Sequence, residues 1–216
     1  MTLAKICGLN DTAGLDAAIA GGADMIGLVF FPPSPRALMP EAAATLSARA
    51  PAQEDGGPLR VGLFVDATDE AIAAVLAAVD LDMLQLHGDE TPERAAALRT
   101  RFSLPVMKAL GIATPADLDA LDAYAPAVDA FLLDAKAPPG APLPGGNAAV
   151  FDWSLLSGRP VPRPWLLAGG LTPDNVADAL RTTGAPGVDV SSGVEASRGV
   201  KDPARVTAFL RAARGA

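Results

Sequence analysis

The chain predicts an α/β fold: a single-domain (β/α)8 TIM barrel of eight parallel strands, spanning residues 1–216. Three observations carry this expectation. Short apolar runs alternate with Ala/Leu-rich helical runs eight times along the chain, and strict βα alternation requires crossover connections and therefore a parallel sheet. The 216 residues divide into units of about 27, near the lower end for a closed barrel. An open doubly wound sheet would carry a Gly-rich fingerprint after its first strand, and none is present.

The first strand is read as residues 4–7, handing over at Leu9-Asn10-Asp11 to a helix over 12–20 that Gly21-Gly22 closes. The second, residues 25–30, is nearly all apolar, as suits a strand covered on both faces. It runs into Phe31-Pro32-Pro33-Ser34-Pro35-Arg36, a loop stiffened by proline, before a helix begins near Pro40. A polar loop over 51–58 leads to strand three at 60–65, with Asp66 or Thr68 capping a helix over 69–78. Strand four is 83–87, its helix opening at Thr91-Pro92-Glu93, and strand five is 105–110, with Thr114-Pro115 opening the next helix. Strand six is 130–134. A long loop crowded with Pro and Gly follows over 135–150, then Phe151-Asp152-Trp153 and a short helix. Strand seven is 165–170, with Thr172-Pro173-Asp174 starting a helix; strand eight is 187–192, and the last helix covers 203–213.

Half the residues are hydrophobic but only 5% are aromatic, so the core is built largely from Ala, Leu and Val. A net charge of -8 argues against nucleic acid or an anionic membrane as partner. It also requires that any anionic small substrate be held by local donors. One cysteine excludes an internal disulfide and a Cys-based metal cluster, and fits a reducing compartment. The N-terminus has no long apolar segment of the signal-peptide kind, and no window approaches eighteen unbroken apolar residues. The expectation is a cytoplasmic protein; its oligomeric state is not legible.

Chemistry in a parallel barrel gathers at the C-terminal ends of the strands. Cys7 ends the first strand in Lys5-Ile6-Cys7-Gly8, and strand alternation puts Lys5 on the same face. A lone cysteine is more often an inert core residue, so the tetrapeptide by itself decides nothing. Other polar residues in or at the end of strands are Gln85 and His87, Lys108, Asp134, Asp189 and Ser191. Strand seven ends in Gly169-Gly170 and strand eight in Ser191-Ser192-Gly193, where backbone N–H groups can reach a phosphate. Arg36, on the rigid loop, could clamp a carboxylate. His87 reads as a hydrogen-bonded histidine rather than a base, Asp152 as a helix cap, and the 135–150 loop as a lid.

Taken together, KICG (5–8), FFPPSPR (30–36), QLHG (85–88), LLD (132–134), FDW (151–153), AGGL (168–171) and DVSSGVE (189–195) resemble the phosphoribosylanthranilate isomerase family of tryptophan biosynthesis. The resemblance covers nearly the whole chain and implies an Amadori rearrangement of N-(5-phosphoribosyl)anthranilate. It places the family's general base on Cys7, its general acid on Asp134 and its anthranilate-carboxylate ligand on Arg36. Phosphate contacts fall on Gly170, Ser191 and Ser192, and a ribose-hydroxyl contact on Asp189. The implied partner is a phosphorylated small molecule, and no cofactor or metal is implied, because the substrate's own nitrogen is the electron sink. For this chemistry Asp134 is protonated when it acts and Cys7 is deprotonated, with Lys5 a candidate to stabilise the thiolate. The chain departs from the family's usual Gly-Gly-Thr-Gly before FDW, reading Gly145-Gly146-Asn147-Ala148. Rival readings are an indole-glycerol-phosphate synthase, which would want a lysine at Cys7, a metal-dependent pentose-phosphate epimerase, and a non-catalytic phosphate-binding barrel.

Overall fold

The computed structural model describes residues 2–137, 140, 145 and 151–216. Eight parallel strands close into a barrel in chain order: β1 (Leu3–Cys7), β2 (Met25–Val29), β3 (Leu59–Phe64), β4 (Met83–Leu86), β5 (Val106–Ile112), β6 (Ala130–Ala135), β7 (Trp165–Leu167) and β8 (Gly187–Val190). The helices around it are α1 (Thr12–Ala20), α2 (Pro40–Ser47), α3 (Asp69–Leu76), α4 (Pro92–Phe102), α5 (Ala120–Tyr124), α6 (Val176–Thr183) and α7 (Pro203–Arg214). Local chemistry starts several of them. Asp11 accepts from the Gly14 N–H, Thr68 (not Asp66) from Ala71, Thr91 from Arg94, and Asp202 from Ala204 and Arg205.

Strand alternation divides the core in two. Ala4 and Ile6 of β1 face outward into the layer shared with the helices, beside residues such as Leu15, Ala18 and Phe209. Their neighbours point inward, where Met25, Val61, Met107, Leu132 and Leu166 fill the barrel, all from strands. Cys7, Val29 and Leu63 form a separate cluster nearer the mouth. Because the strands are covered on both faces, both parities read as apolar in the sequence. Lys108 accordingly does not join the other polar strand residues at the mouth. It sits between the inward Met107 and Ala109, so its ammonium points out of the barrel to Glu90 Oε2 at 2.9 Å and to the Gly88 carbonyl.

The barrel floor repeats one device. Asp24, Asp82 and Asp129 stand before β2, β4 and β6, and each accepts from a backbone N–H of the preceding strand: Ala4 at 2.8 Å, Arg60 at 2.7 Å and Val106 at 2.8 Å. In return each aspartate's N–H donates to that same residue's carbonyl.

The structure differs from the sequence expectation where strands end. Strands seven and eight are shorter than expected, releasing Ala168-Gly169-Gly170 and Ser191-Ser192 from the ladder into turns. After β5 the chain makes a 3-10 turn (Pro115–Asp119) before the five-residue α5, and α6 begins a turn later than Thr172. The latter happens because the Asn175 side chain bonds the Thr172 N–H and the Gly170 carbonyl, holding 170–172 as a loop. A small antiparallel pair, β9 (Glu195–Ser197) with β10 (Val200–Lys201), follows β8 and was not anticipated.

Candidate active site

Cys7, Arg36, Asp134, Gly170, Asp189, Ser191 and Ser192 all line one cavity at the C-terminal mouth of the barrel. The space between its walls, counting the part open to solvent, is about 810 Å³. Val29, Phe31, Leu63 and Val65 form an apolar wall on the β2–β3 side.

Cys7 is buried at the end of β1, opposite Gly27 of β2, whose missing Cβ would lie 2.8 Å from the thiol sulfur. Gly8 follows with φ +73°, and a side chain there would strike Arg36 and crowd Ser191 Oγ. Its glycine is thus required by backbone and packing. Beneath Cys7, Lys5 Nζ donates to Asp189 Oδ1 at 2.7 Å, an ion pair inside the barrel. Burial pushes the Cys7 thiol up from its ordinary value; the Lys5 charge pulls it back, and Asp189 opposes Lys5. The thiolate expected from the sequence is therefore disfavoured by burial and only partly recovered. Lys5 itself is raised: burial works to lower it, but Asp189 and Cys7 outweigh that and keep the ammonium charged. Asp189 is committed to this pair, which qualifies the ribose-contact expectation, although it still borders the cavity.

Asp134 is the next-to-last residue of β6, with Oδ1 accepting from the Ala135 N–H at 2.8 Å and Oδ2 3.4 Å from His87 Nε2. On the far side of the imidazole, the buried Gln85 side-chain amide lies against the ring, with its Nε2 3.0 Å from His87 Nδ1. His87 is thus a hydrogen-bonded strand-end histidine, as read, and it borders the reactive cavity as well. The pairing of Gln85 with His87 was not foreseen, although their two-residue spacing on one strand face was visible. Of the expected lid, residues 138–139, 141–144 and 146–150 lie outside the described residues, while Gly145 lines the cavity beside His87 and Asp134. Asp152 caps the 3-10 turn Trp153–Leu156 through the Ser154 N–H.

On the β7–β8 side, Gly169 and Gly170 both have positive φ, and the N–H groups of Gly170 and Leu171 donate to no acceptor among the described residues. They border the cavity with Ser191 and Ser192. Arg36 is buried, its Nε and Nη2 donating to the two carboxylate oxygens of Glu195 at 2.6 and 3.0 Å. Sequence reasoning saw Arg36 and missed Glu195 as its partner, because the two are 159 residues apart. No group of three or more candidate metal ligands occurs among the described residues.

The closed barrel, with nucleophilic, acidic and cationic side chains converging on its C-terminal mouth, places the protein among the (β/α)8-barrel enzymes. Residues 4–212 match the N-(5'phosphoribosyl)anthranilate (PRA) isomerase family, and the chain belongs to that family of isomerases. The N-(5'-phosphoribosyl)anthranilate isomerase of Rhodospirillum rubrum is 59% identical, covering 99% of this chain and 98% of the relative. That of Paracoccus denitrificans is 57% identical over 95% and 94%. Among solved structures, phosphoribosyl anthranilate isomerase from Thermotoga maritima superposes with a TM-score of 0.87 at 36% identity, with both chains covered completely. A phosphoribosyl anthranilate isomerase in complex with reduced 1-(o-carboxyphenylamino)-1-deoxyribulose 5-phosphate gives 0.83 at 35% identity, again with full coverage of both.

Proposed function

We propose that this enzyme carries out the Amadori rearrangement of N-(5-phosphoribosyl)anthranilate in tryptophan biosynthesis, with Cys7 as general base and Asp134 as general acid. The observation that carries the assignment of roles is the convergence of Cys7 and Asp134, from β1 and β6, on one cavity that also has anion donors and an apolar wall. Asp134 gives its proton to the furanose ring oxygen as the C1–O bond breaks, and the anthranilate nitrogen lone pair forms the iminium. The cation acidifies the C2 hydrogen. Cys7 removes that proton, and its electron pair neutralises the iminium to an enolamine. Loss of the O2 proton and protonation at C1 then give the 1-amino-1-deoxy ketose.

A base whose thiolate is disfavoured by burial suits this sequence of events. Positive charge forms on the substrate beside a buried thiol only after ring opening, and a nearby cation favours the thiolate at that moment. The anthranilate ring lies against the apolar wall formed by Val29, Phe31, Leu63 and Val65. Its carboxylate meets Arg36, and the phosphate meets the amides near Gly170 and the Ser191–Ser192 turn.

Loss of anthranilate-type fluorescence on mixing purified protein with phosphoribosylanthranilate tests the reading. Wild type turns the substrate over. Cys7→Ala and Asp134→Asn each lower kcat by about 10³-fold or more, the scale of losing a positioned acid or base. Full turnover by either variant overturns the role given to that residue.

A further inference from the structure

Glu195 is a buried carboxylate on which two sides of the mouth converge. It accepts from Arg36 Nε and Nη2, from Lys201 Nζ at 2.9 Å and from the Gly199 N–H at 3.0 Å. Lys201, itself buried, also donates to the carbonyl and hydroxyl oxygens of Ser191 at 3.0 and 3.3 Å. Burial works to raise the Glu195 carboxyl, but the hydrogen bonds from Arg36 and the charge and hydrogen bond of Lys201 outweigh it and hold it below its ordinary value. The cluster is therefore two cations around one anion, a net positive charge buried at the mouth of a chain whose total is -8.

The edge used matters. A guanidinium offers a side-on pair of donors, Nε with Nη2, and an end-on pair, Nη1 with Nη2. Glu195 takes the side-on pair, while Nη1 has no acceptor among the described residues and Arg36 borders the cavity. We propose that Glu195, carried on the hairpin of β9 and β10, is the positioning residue that orients Arg36 so that its end-on edge faces the substrate carboxylate. Lys201 couples this hold to the Ser191 turn, so the distance between the carboxylate and phosphate ends of the ligand is set by one buried hub. Glu195 touches no substrate atom. Its effect is to make the enzyme demand a carboxylate. This rests on Arg36 being the carboxylate ligand.

The test compares phosphoribosylanthranilate with its decarboxy analogue, N-(5-phosphoribosyl)aniline, and takes the ratio of their kcat/KM values. The ratio is independent of how much of a preparation is folded. In Glu195→Gln the KM for the carboxylated substrate rises about 10-fold more than that for the analogue, which shares only the phosphate end, with kcat changed little, and the ratio falls by the same factor. Glu195→Asp keeps the charge but is one methylene too short to hold Nε and Nη2 from the same backbone, so the ratio falls there too. An Asp variant with wild-type discrimination overturns the proposal, because charge alone then suffices, and so does a Gln variant with wild-type discrimination. Arg36→Gln separates the two levels. If it abolishes the preference while the Glu195 variants retain it, only the positioning role fails; if it retains the preference, Arg36 is not the carboxylate ligand and the reading beneath fails.

Discussion

Lys5 is a buried ammonium whose neighbours decide what kind of base Cys7 can be. Burial raises the thiol above its ordinary value of 9.0, and Lys5 is the strongest influence pulling it down. The pH profile of kcat/KM reports the free enzyme, so its rise should continue beyond pH 9. Lys5→Met removes the stabilising charge and leaves Asp189 unpaired, and both changes disfavour the thiolate. The expected result is an acidic limb moved upward and a kcat/KM at pH 7.5 lower by about tenfold. Lys5→Met/Asp189→Asn, which removes both charges, should move the limb less than Lys5→Met. A stopped-flow or steady-state profile with an unmoved limb in Lys5→Met would refute the role of Lys5. Cys7 and Lys5 were legible because strand alternation and a barrel mouth suffice to place them. What could not be read was the degree of burial, which reverses the simple expectation that an adjacent ammonium yields a thiolate. Lys108 shows the complementary limit: in a strand apolar on both faces, nothing local says which parity is inside.

The strands carry function at one end and stability at the other. The three floor aspartates make the contrast testable, since Asp82 lies before β4, far from the mouth, and its carboxylate satisfies the Arg60 N–H. Asp82→Ala leaves that backbone donor without its partner and should cost about 1–2 kcal/mol in urea unfolding. Its kcat/KM at 25 °C should stay within about twofold of wild type, because the floor of a barrel contributes to stability rather than to chemistry. An activity loss larger than the fraction unfolded would contradict that division. The alternation of strands and helices was readable throughout, and so were caps such as Thr68, Thr91 and Asp202, because each is decided by a few adjacent residues. The pieces that escaped reading are those shaped by distant partners. The 170–172 loop is held by Asn175, and the β9–β10 hairpin is closed around Glu195 by Arg36 from the other side of β1.

At the scale of the molecule, the net charge of -8 seemed to oppose an anionic ligand, and the structure resolves this by distribution. Many acidic groups lie at the surface, whereas Arg36 and Lys201 are buried at the mouth around a single carboxylate. Sequence totals report the first and are blind to the second, since contacts over 159 residues leave no local trace. This arrangement ties stability to pH. Glu195 has an ordinary value of 4.5 in the unfolded chain and a lower one when folded. As pH falls, the unfolded state therefore takes up the proton first. The stabilisation is complete above about pH 4.5 and is lost as pH drops through the folded value. Glu195→Gln has no such proton to bind, and it leaves two buried cations without their anion. It should be less stable than wild type by about 3 kcal/mol at pH 7, and that gap should narrow as pH falls below 4.5. Urea unfolding of both proteins at pH 7, 5, 4 and 3.5 measures it. A gap that stays constant across this range would mean the ionised carboxylate contributes nothing to holding Arg36 and Lys201. A gap that widens would mean the folded carboxyl is raised, and the hub would then be held by hydrogen bonds to a neutral acid.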